Sequence, residues 1–148
     1  MSKHQSDSSE QKAAESVMLA TLESQRGLKF DPNAKLPISV GVQPDAIDPE
    51  NRVVVEVYAR LGQLKGAQLH KVKGDILKLA LIGEHIGSEW QRILCFASKE
   101  AAKYVTGKSW AAEATRVFGV EIVVVPLSEE HQSIVVQAQG RQRMVNPT

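Results

Sequence analysis

A run of β-branched residues near the middle of the chain most strongly limits what the chain can fold into. The segment Val53-Val-Val-Glu-Val-Tyr58 is almost entirely valine, which predicts a strand that is buried on at least one face. Glu56 interrupts this run. Because an unpaired carboxylate costs free energy when it is buried, we expect a cation, a lysine or a hydrogen-bond network to compensate Glu56.

Helical and strand patterns alternate along the rest of the sequence. Helices are predicted over residues 9–25, 64–84, 99–105 and 110–118, and further strands over residues 38–43, 92–97, 120–125 and 133–136. This order predicts one α/β domain over residues 13–148, an α/β/α sandwich around a central mixed sheet, in which the strand 38–43 pairs with the valine strand. Residues 1–12 are polar and are predicted to form a flexible tail.

Composition excludes several classes of protein. The 148 residues, 43% of them hydrophobic, suffice to bury a core, so wholesale disorder is excluded. One cysteine cannot form an internal disulfide, nor can it supply a cysteine-ligated zinc or iron–sulfur site. The formal charge of +1 provides no global attraction for nucleic acid, so such binding requires a local patch.

We expect a cytoplasmic protein without membrane contact, because no targeting signal or spanning apolar run is visible.

Two carboxylates lie on the predicted hairpin. Asp45 follows Pro44 at the end of the first strand and Glu56 lies within the second, so pairing brings both to one sheet edge. Because Mg²⁺ takes few protein carboxylates and keeps several waters, this pair is a candidate Mg²⁺ or Mn²⁺ site, with one pKa raised by mutual repulsion. Alternatively, Asp45 accepts hydrogen bonds within a turn, and Glu56 forms a structural salt bridge with Lys71 or Lys78.

A polar stripe runs along the helix that follows the valine strand. Gln68, Lys71, Asp75 and Lys78 are spaced by three and four residues, so they share one helical face. If this face borders a cleft over Glu56, its lysines can reach the carboxylate. If it faces water, its ion pairs contribute little free energy.

Pro44-Asp45 followed by Glu56-Val57-Tyr58 resembles the motif of the PD-(D/E)XK nuclease superfamily, and the order of predicted elements is similar to the core of that superfamily. The resemblance covers roughly residues 13–125. It implies a restriction-endonuclease-like core and hydrolysis of phosphodiester bonds in nucleic acid, dependent on Mg²⁺ or Mn²⁺. It also implies that Asp45 and Glu56 hold the metal, with Glu15 on the first helix as an accessory ligand.

The chain departs from this motif at position 58, where Tyr58 replaces the lysine that orients or activates the attacking water in the family. Some members carry a basic residue on the following helix instead. We therefore predict that Lys71 takes this role, with Lys78 and Lys65 as the next candidates. Tyr58 and the small net charge also support an alternative function, a non-catalytic protein- or nucleic-acid-binding module of the same fold.

The C-terminal segment 137–144 is dense in glutamine and arginine. Arg141 and Arg143 are predicted to contact phosphates, and Gln68, Asp75 and Lys78 complete the predicted accessory set. A solvated tail is the alternative for this segment. The sequence leaves open a homo-oligomer, formed through an exposed sheet edge or Trp90, and membership in a larger nuclease-containing complex.

Overall fold

Helices and strands alternate along the chain. The computed structural model describes the backbone of residues 3–145 and the side chains of residues 9–140. In that part of the chain the helices are α1 (Lys3–Arg26), α2 (Ala67–Ile86), α3 (Lys99–Thr106), α4 (Trp110–Phe118) and α5 (Glu129–Val145). The strands are β1 (Ala46–Asp48), β2 (Val53–Tyr58), β3 (Gln91–Phe96) and β4 (Val120–Val124).

The strands form one mixed sheet in the order β1-β2-β3-β4. β1 is antiparallel to β2 and places Ala46 opposite Val55, whereas β2, β3 and β4 are mutually parallel and place Glu56 opposite Leu94. Parallel neighbours need long crossovers, and α2 and the α3–α4 pair provide them. The predicted α/β/α sandwich with a mixed sheet is confirmed, with two strands, β1 and β2, between α1 and α2.

The valine strand β2 is buried on both faces. Val54 packs with Leu79 and other apolar residues of α2, α3 and α4 on one face. On the other face, Val55 belongs to a cluster that includes Met18 of α1 and Val135 of α5. A central strand covered by helices on both sides reads as a continuous apolar run, which explains the sequence of β2.

Two serines begin helices as their sequence context predicts. The Ser98 hydroxyl accepts from the Ala101 amide at the start of α3, and the Ser109 hydroxyl accepts from the Ala112 amide at the start of α4. α4 ends at Gly119, whose φ of 69° is a left-handed conformation that glycine adopts without strain. These caps fix the α3–α4 crossover between β3 and β4.

Two predicted strands are wrong. Residues 38–43 form no strand, because the segment is bounded by Pro37 and Pro44, and β1 pairs with β2 in its place. Residues 133–136 belong to α5, in which Val135 and Ala138 are buried at helical spacing. Packing of α5 against α1 outweighs the β propensity of its branched residues.

The first helix begins earlier than predicted. α1 starts at Lys3, so it includes most of the segment 1–12 that we assigned to a tail. Fraying of that segment in solution stays a prediction. Ala14, Met18 and Leu22 recur along α1 and are buried against the sheet. Among the helices described here, none is both long and apolar enough to span a bilayer.

Candidate active site

The second strand has an open edge where β1 stops. β1 pairs only with residues 53–55, so the last half of β2 lacks a strand neighbour on that side. The Val57 amide donates instead to Asp45 Oδ2 at 2.9 Å. Asp45 therefore lies just before β1, not at the end of a preceding strand as we predicted. Since the amide and carbonyl of one strand residue point to the same edge, the Val57 carbonyl also faces this opening.

Glu56 is the chemically unusual residue at this edge. It is only 1% exposed, and its Oε1 lies 2.9 Å from Lys78 Nζ. The Asp45 carboxylate is near enough to act on the Glu56 charge. Burial and then the Asp45 charge raise the pKa of Glu56 to about 8, although the Lys78 hydrogen bond lowers it. Glu56 therefore retains its proton near neutral pH, and burial contributes more to this rise than the predicted repulsion by Asp45.

Lys78 keeps its charge beside these carboxyls. Burial lowers its pKa, but the hydrogen bond to Glu56 and the charges of nearby carboxylates outweigh burial, and the pKa of Lys78 rises. Lys78 Nζ also lies 3.4 Å from the Gln43 carbonyl and 3.6 Å from Asp75 Oδ1. The ammonium is therefore held on several sides, with Glu56 as its nearest partner.

Tyr58 and Asp75 form a second buried contact on the same face of β2. The Tyr58 hydroxyl donates to Asp75 Oδ2, and burial followed by the Asp75 charge raises the pKa of Tyr58. The hydroxyl thus stays protonated and remains a donor. Asp75 also pairs with Lys71, whose Nζ is 3.3 Å from Oδ2 and 4.9 Å from the centre of the Tyr58 ring.

The two lysines of the polar stripe occupy different places. The Lys71 side chain is 61% exposed and contacts Asp75 and the Tyr58 ring. The Lys78 side chain is 29% exposed and contacts Glu56 directly. The arrangement therefore favours Lys78, our second candidate, as the lysine beside the motif carboxylate. A catalytic role for Lys71 stays a prediction.

A cavity of about 280 Å³ opens beside this cluster, between α1 and the start of α2. Its lining includes Glu15, Tyr58, Arg60, Gln68 and Lys71. Burial and then the Asp45 charge raise the pKa of Glu15 to about 7, against the lowering effect of Lys71. The Gln68 side chain already makes one hydrogen bond within the chain, because its Oε1 accepts from the Lys65 amide at 3.2 Å.

The donor atoms at the open edge fit a hard divalent cation. Asp45, Glu56 and the Val57 carbonyl supply oxygen, and Mg²⁺ is commonly held by one or two carboxylates together with water and substrate oxygens. Among the described residues, no group of three or more His, Cys, Asp or Glu side chains is arranged to hold a metal ion. Glu15 as an accessory ligand stays a prediction.

Sequence reasoning did not predict one contact of this site, and two predicted residues lie outside the described side chains. The Tyr58–Asp75 contact was missed, although a tyrosine in a buried strand requires a hydroxyl partner and Asp75 lay on the predicted polar stripe. Arg141 and Arg143 lie outside the residues whose side chains are described, so their predicted phosphate contacts stay predictions.

Comparison with known proteins gives one structural similarity. No protein-family model matches the chain, and no curated protein matches it. Among solved structures, EndoMS in its apo form aligns with 76% of this chain and 47% of its own, at 18% sequence identity and a TM-score of 0.37. This chain thus spans about half the length of the EndoMS chain.

Proposed function

We propose that the chain is a divalent-metal-dependent, nuclease-like protein that hydrolyses phosphodiester bonds in nucleic acid. The observation that carries the proposal is the buried Glu56 carboxyl at the open edge of β2, with Lys78 2.9 Å away and the Asp45 charge acting on it. A buried acid with a raised pKa, beside a lysine and a second acid, is typical of a functional site. The motif at the same residues supports the same chemistry.

Asp45, Glu56 and the Val57 carbonyl are the groups that would hold the cation. Once bound, Mg²⁺ or Mn²⁺ would supply a Lewis acid that polarises a phosphoryl oxygen and lowers the pKa of water. Glu56 would have to release its proton before it could act as a ligand. The hydrogen bond from the Val57 amide orients Asp45 toward Glu56.

Lys78 takes the role that position 58 has in the family. Its ammonium, 2.9 Å from Glu56, is placed to orient water and to offset negative charge that develops at phosphate. Asp75 lies 3.6 Å from the same ammonium and accepts from Tyr58. Tyr58 thus supports the lysine through Asp75.

The surroundings of the site suit a nucleic-acid substrate. Arg60 and Lys71 line the neighbouring cavity. Phosphate contacts by such residues provide most of the sequence-independent affinity for nucleic acid. This local patch supplies the attraction that a net charge of +1 does not provide.

Cleavage of single-stranded DNA, duplex DNA and RNA in Mg²⁺ or Mn²⁺ tests the proposal. Asp45→Asn and Glu56→Gln should abolish cleavage, and Lys78→Met should lower the rate by on the order of 10²- to 10³-fold. Lys71→Met removes the same charge from the same helix at a residue that lines the cavity but does not contact Glu56, so it should weaken substrate binding and lower the rate by less than about tenfold.

Two results would contradict the proposal. If wild type cuts none of these substrates while it binds metal, the chain is the non-catalytic module of the same fold. If Lys71→Met and Lys78→Met lose activity equally, the assignment of Lys78 is wrong, although the carboxylate pair retains its role.

A further inference from the structure

The fourth strand leaves the other edge of the sheet open. β4 is last in the order β1-β2-β3-β4, and the Val125 amide just after it donates to Phe96 of β3 at 2.8 Å. Because amide directions alternate along a strand, the amides and carbonyls of Val120, Ile122 and Val124 point away from β3. In the described part of the chain, no backbone hydrogen bond reaches this outer edge.

This edge lacks the usual protection against pairing. Proteins prevent exposed edges from pairing with proline, lysine, bulges or inward-pointing charges. The sequence of β4, Val-Glu-Ile-Val-Val, contains neither proline nor lysine. Glu121 is its one charged residue, and the carboxylate turns back onto α1 and β3. Its oxygens lie 2.6 Å from Arg26 Nη2 and 2.6 Å from Gln91 Nε2. The charge of Glu121 is therefore neutralised within the chain.

The helix beside this edge exposes apolar side chains as well. α4 contacts β4 and ends two residues before it. Val117 is 66% exposed and Phe118 is also exposed at the end of α4 that leads into β4, whereas Trp110, at the other end, lies under Lys73 of α2. Exposed apolar residues next to an unpaired edge mark an interaction surface.

We propose that β4 pairs antiparallel with β4 of a second copy of this chain, across a two-fold axis normal to the sheet. The axis passes at Ile122, so Ile122 pairs with its own equivalent and Val120 pairs with Val124. In this register Glu121 lies opposite Val123, and no like charges face each other. A net charge of +1 adds little repulsion between copies.

A second copy accounts for both the unpaired edge of β4 and the exposed apolar side chains of α4. An isolated peptide accounts only for the edge. An added peptide strand would pair with the edge but leave the apolar side chains of α4 in water. The two-fold operation keeps both α4 helices on the same face of the joined sheet, so their exposed residues cover one another. The candidate active sites lie at the opposite edge and stay open, so the dimer is independent of the proposed function.

Sedimentation velocity of the full chain, from micromolar to millimolar concentration, tests the dimer. Wild type should show a concentration-dependent dimer, and Val117→Lys should raise the dissociation constant by about tenfold or more, because like charges meet across the axis. Val136→Lys is the matched control, since Val136 is 51% exposed on α5, which packs on α1 at the other face of the sheet, and its change should leave the dimer intact.

Amide hydrogen exchange locates the contact within the strand. Dimerisation should slow exchange of the Ile122 and Val124 amides, which point outward, at concentrations where wild type is dimeric. A wild type that stays monomeric throughout overturns the proposal. So does a dimer that Val136→Lys dissociates and Val117→Lys does not, or one in which the Ile122 and Val124 amides gain no protection.

Discussion

Glu56 is held by two neighbours of opposite character, the carboxyl of Asp45 and the ammonium of Lys78. The ammonium compensates the buried charge, whereas the second carboxyl opposes it, and burial with that opposition raises the pKa of Glu56 to about 8. Asp45 also has a structural part, because it accepts from the Val57 amide where β1 stops. The metal test below therefore separates the structural role of Asp45 from the proposed one.

The free energy of unfolding should fall as pH rises from about 5 to about 8. Unfolded Glu56 loses its proton near its ordinary pKa of 4.5, while folded Glu56 keeps it to about 8, so the folded state binds more protons in this window. Glu15, with a pKa raised to about 7, acts in the same direction. Urea denaturation in metal-free buffer at several pH values measures the slope, and Glu56→Gln should reduce it. A flat profile in wild type would contradict the raised pKa.

Removing the Tyr58 hydroxyl should destabilise the fold. Tyr58→Phe leaves the buried Asp75 without one of its donors, and such a loss costs about 1–3 kcal/mol. Tyr104→Phe is the control, because Tyr104 is only partly buried and should change stability by less than about 0.5 kcal/mol. Chemical denaturation compares the two variants, and equal effects would show that Asp75 does not depend on Tyr58.

At the scale of elements, capped helices and the buried valine strand could be predicted from sequence, because their signals are local. Ser98, Ser109 and Gly119 mark helix ends through their own side chains or backbone, and all three do so in the structure. Residues 38–43 and 133–136 also have strand-like patterns, but such a pattern forms a strand only where another strand pairs with it. Residues 38–43, bounded by prolines, pair with no strand, and residues 133–136 pack against α1 as part of a helix.

The two serine caps should each contribute about 1 kcal/mol to stability. Ser98→Ala and Ser109→Ala remove the hydroxyls that accept from the Ala101 and Ala112 amides, and loss of such a cap lowers the free energy of unfolding by that amount. Ser88→Ala changes an exposed serine between α2 and β3 and should have almost no effect. Urea denaturation measures the free energy of unfolding of all three variants. Equal losses in all three would show that the Ser98 and Ser109 hydroxyls do not act as caps.

At the scale of the whole molecule, the sequence predicted that Asp45 and Glu56 converge but not which lysine joins them. Lys71 and Lys78 are two helical turns apart, about 10 Å along α2, on one polar stripe. Which turn lies over Glu56 depends on the path of residues 59–66 and on the packing of α2, which are properties of the assembled fold. The short β1 likewise decides that this edge of β2 is open.

The most direct test of the account is calorimetric titration of the protein with Mn²⁺ at neutral pH, in buffers of different ionisation enthalpy. Wild type should bind the ion and release a proton, because Glu56 retains its proton near neutral pH and must lose it before it can act as a ligand. Asp45→Asn should lose this binding, while Lys71→Met should retain it. Binding of equal affinity in wild type and Asp45→Asn would place the ion elsewhere and contradict the account.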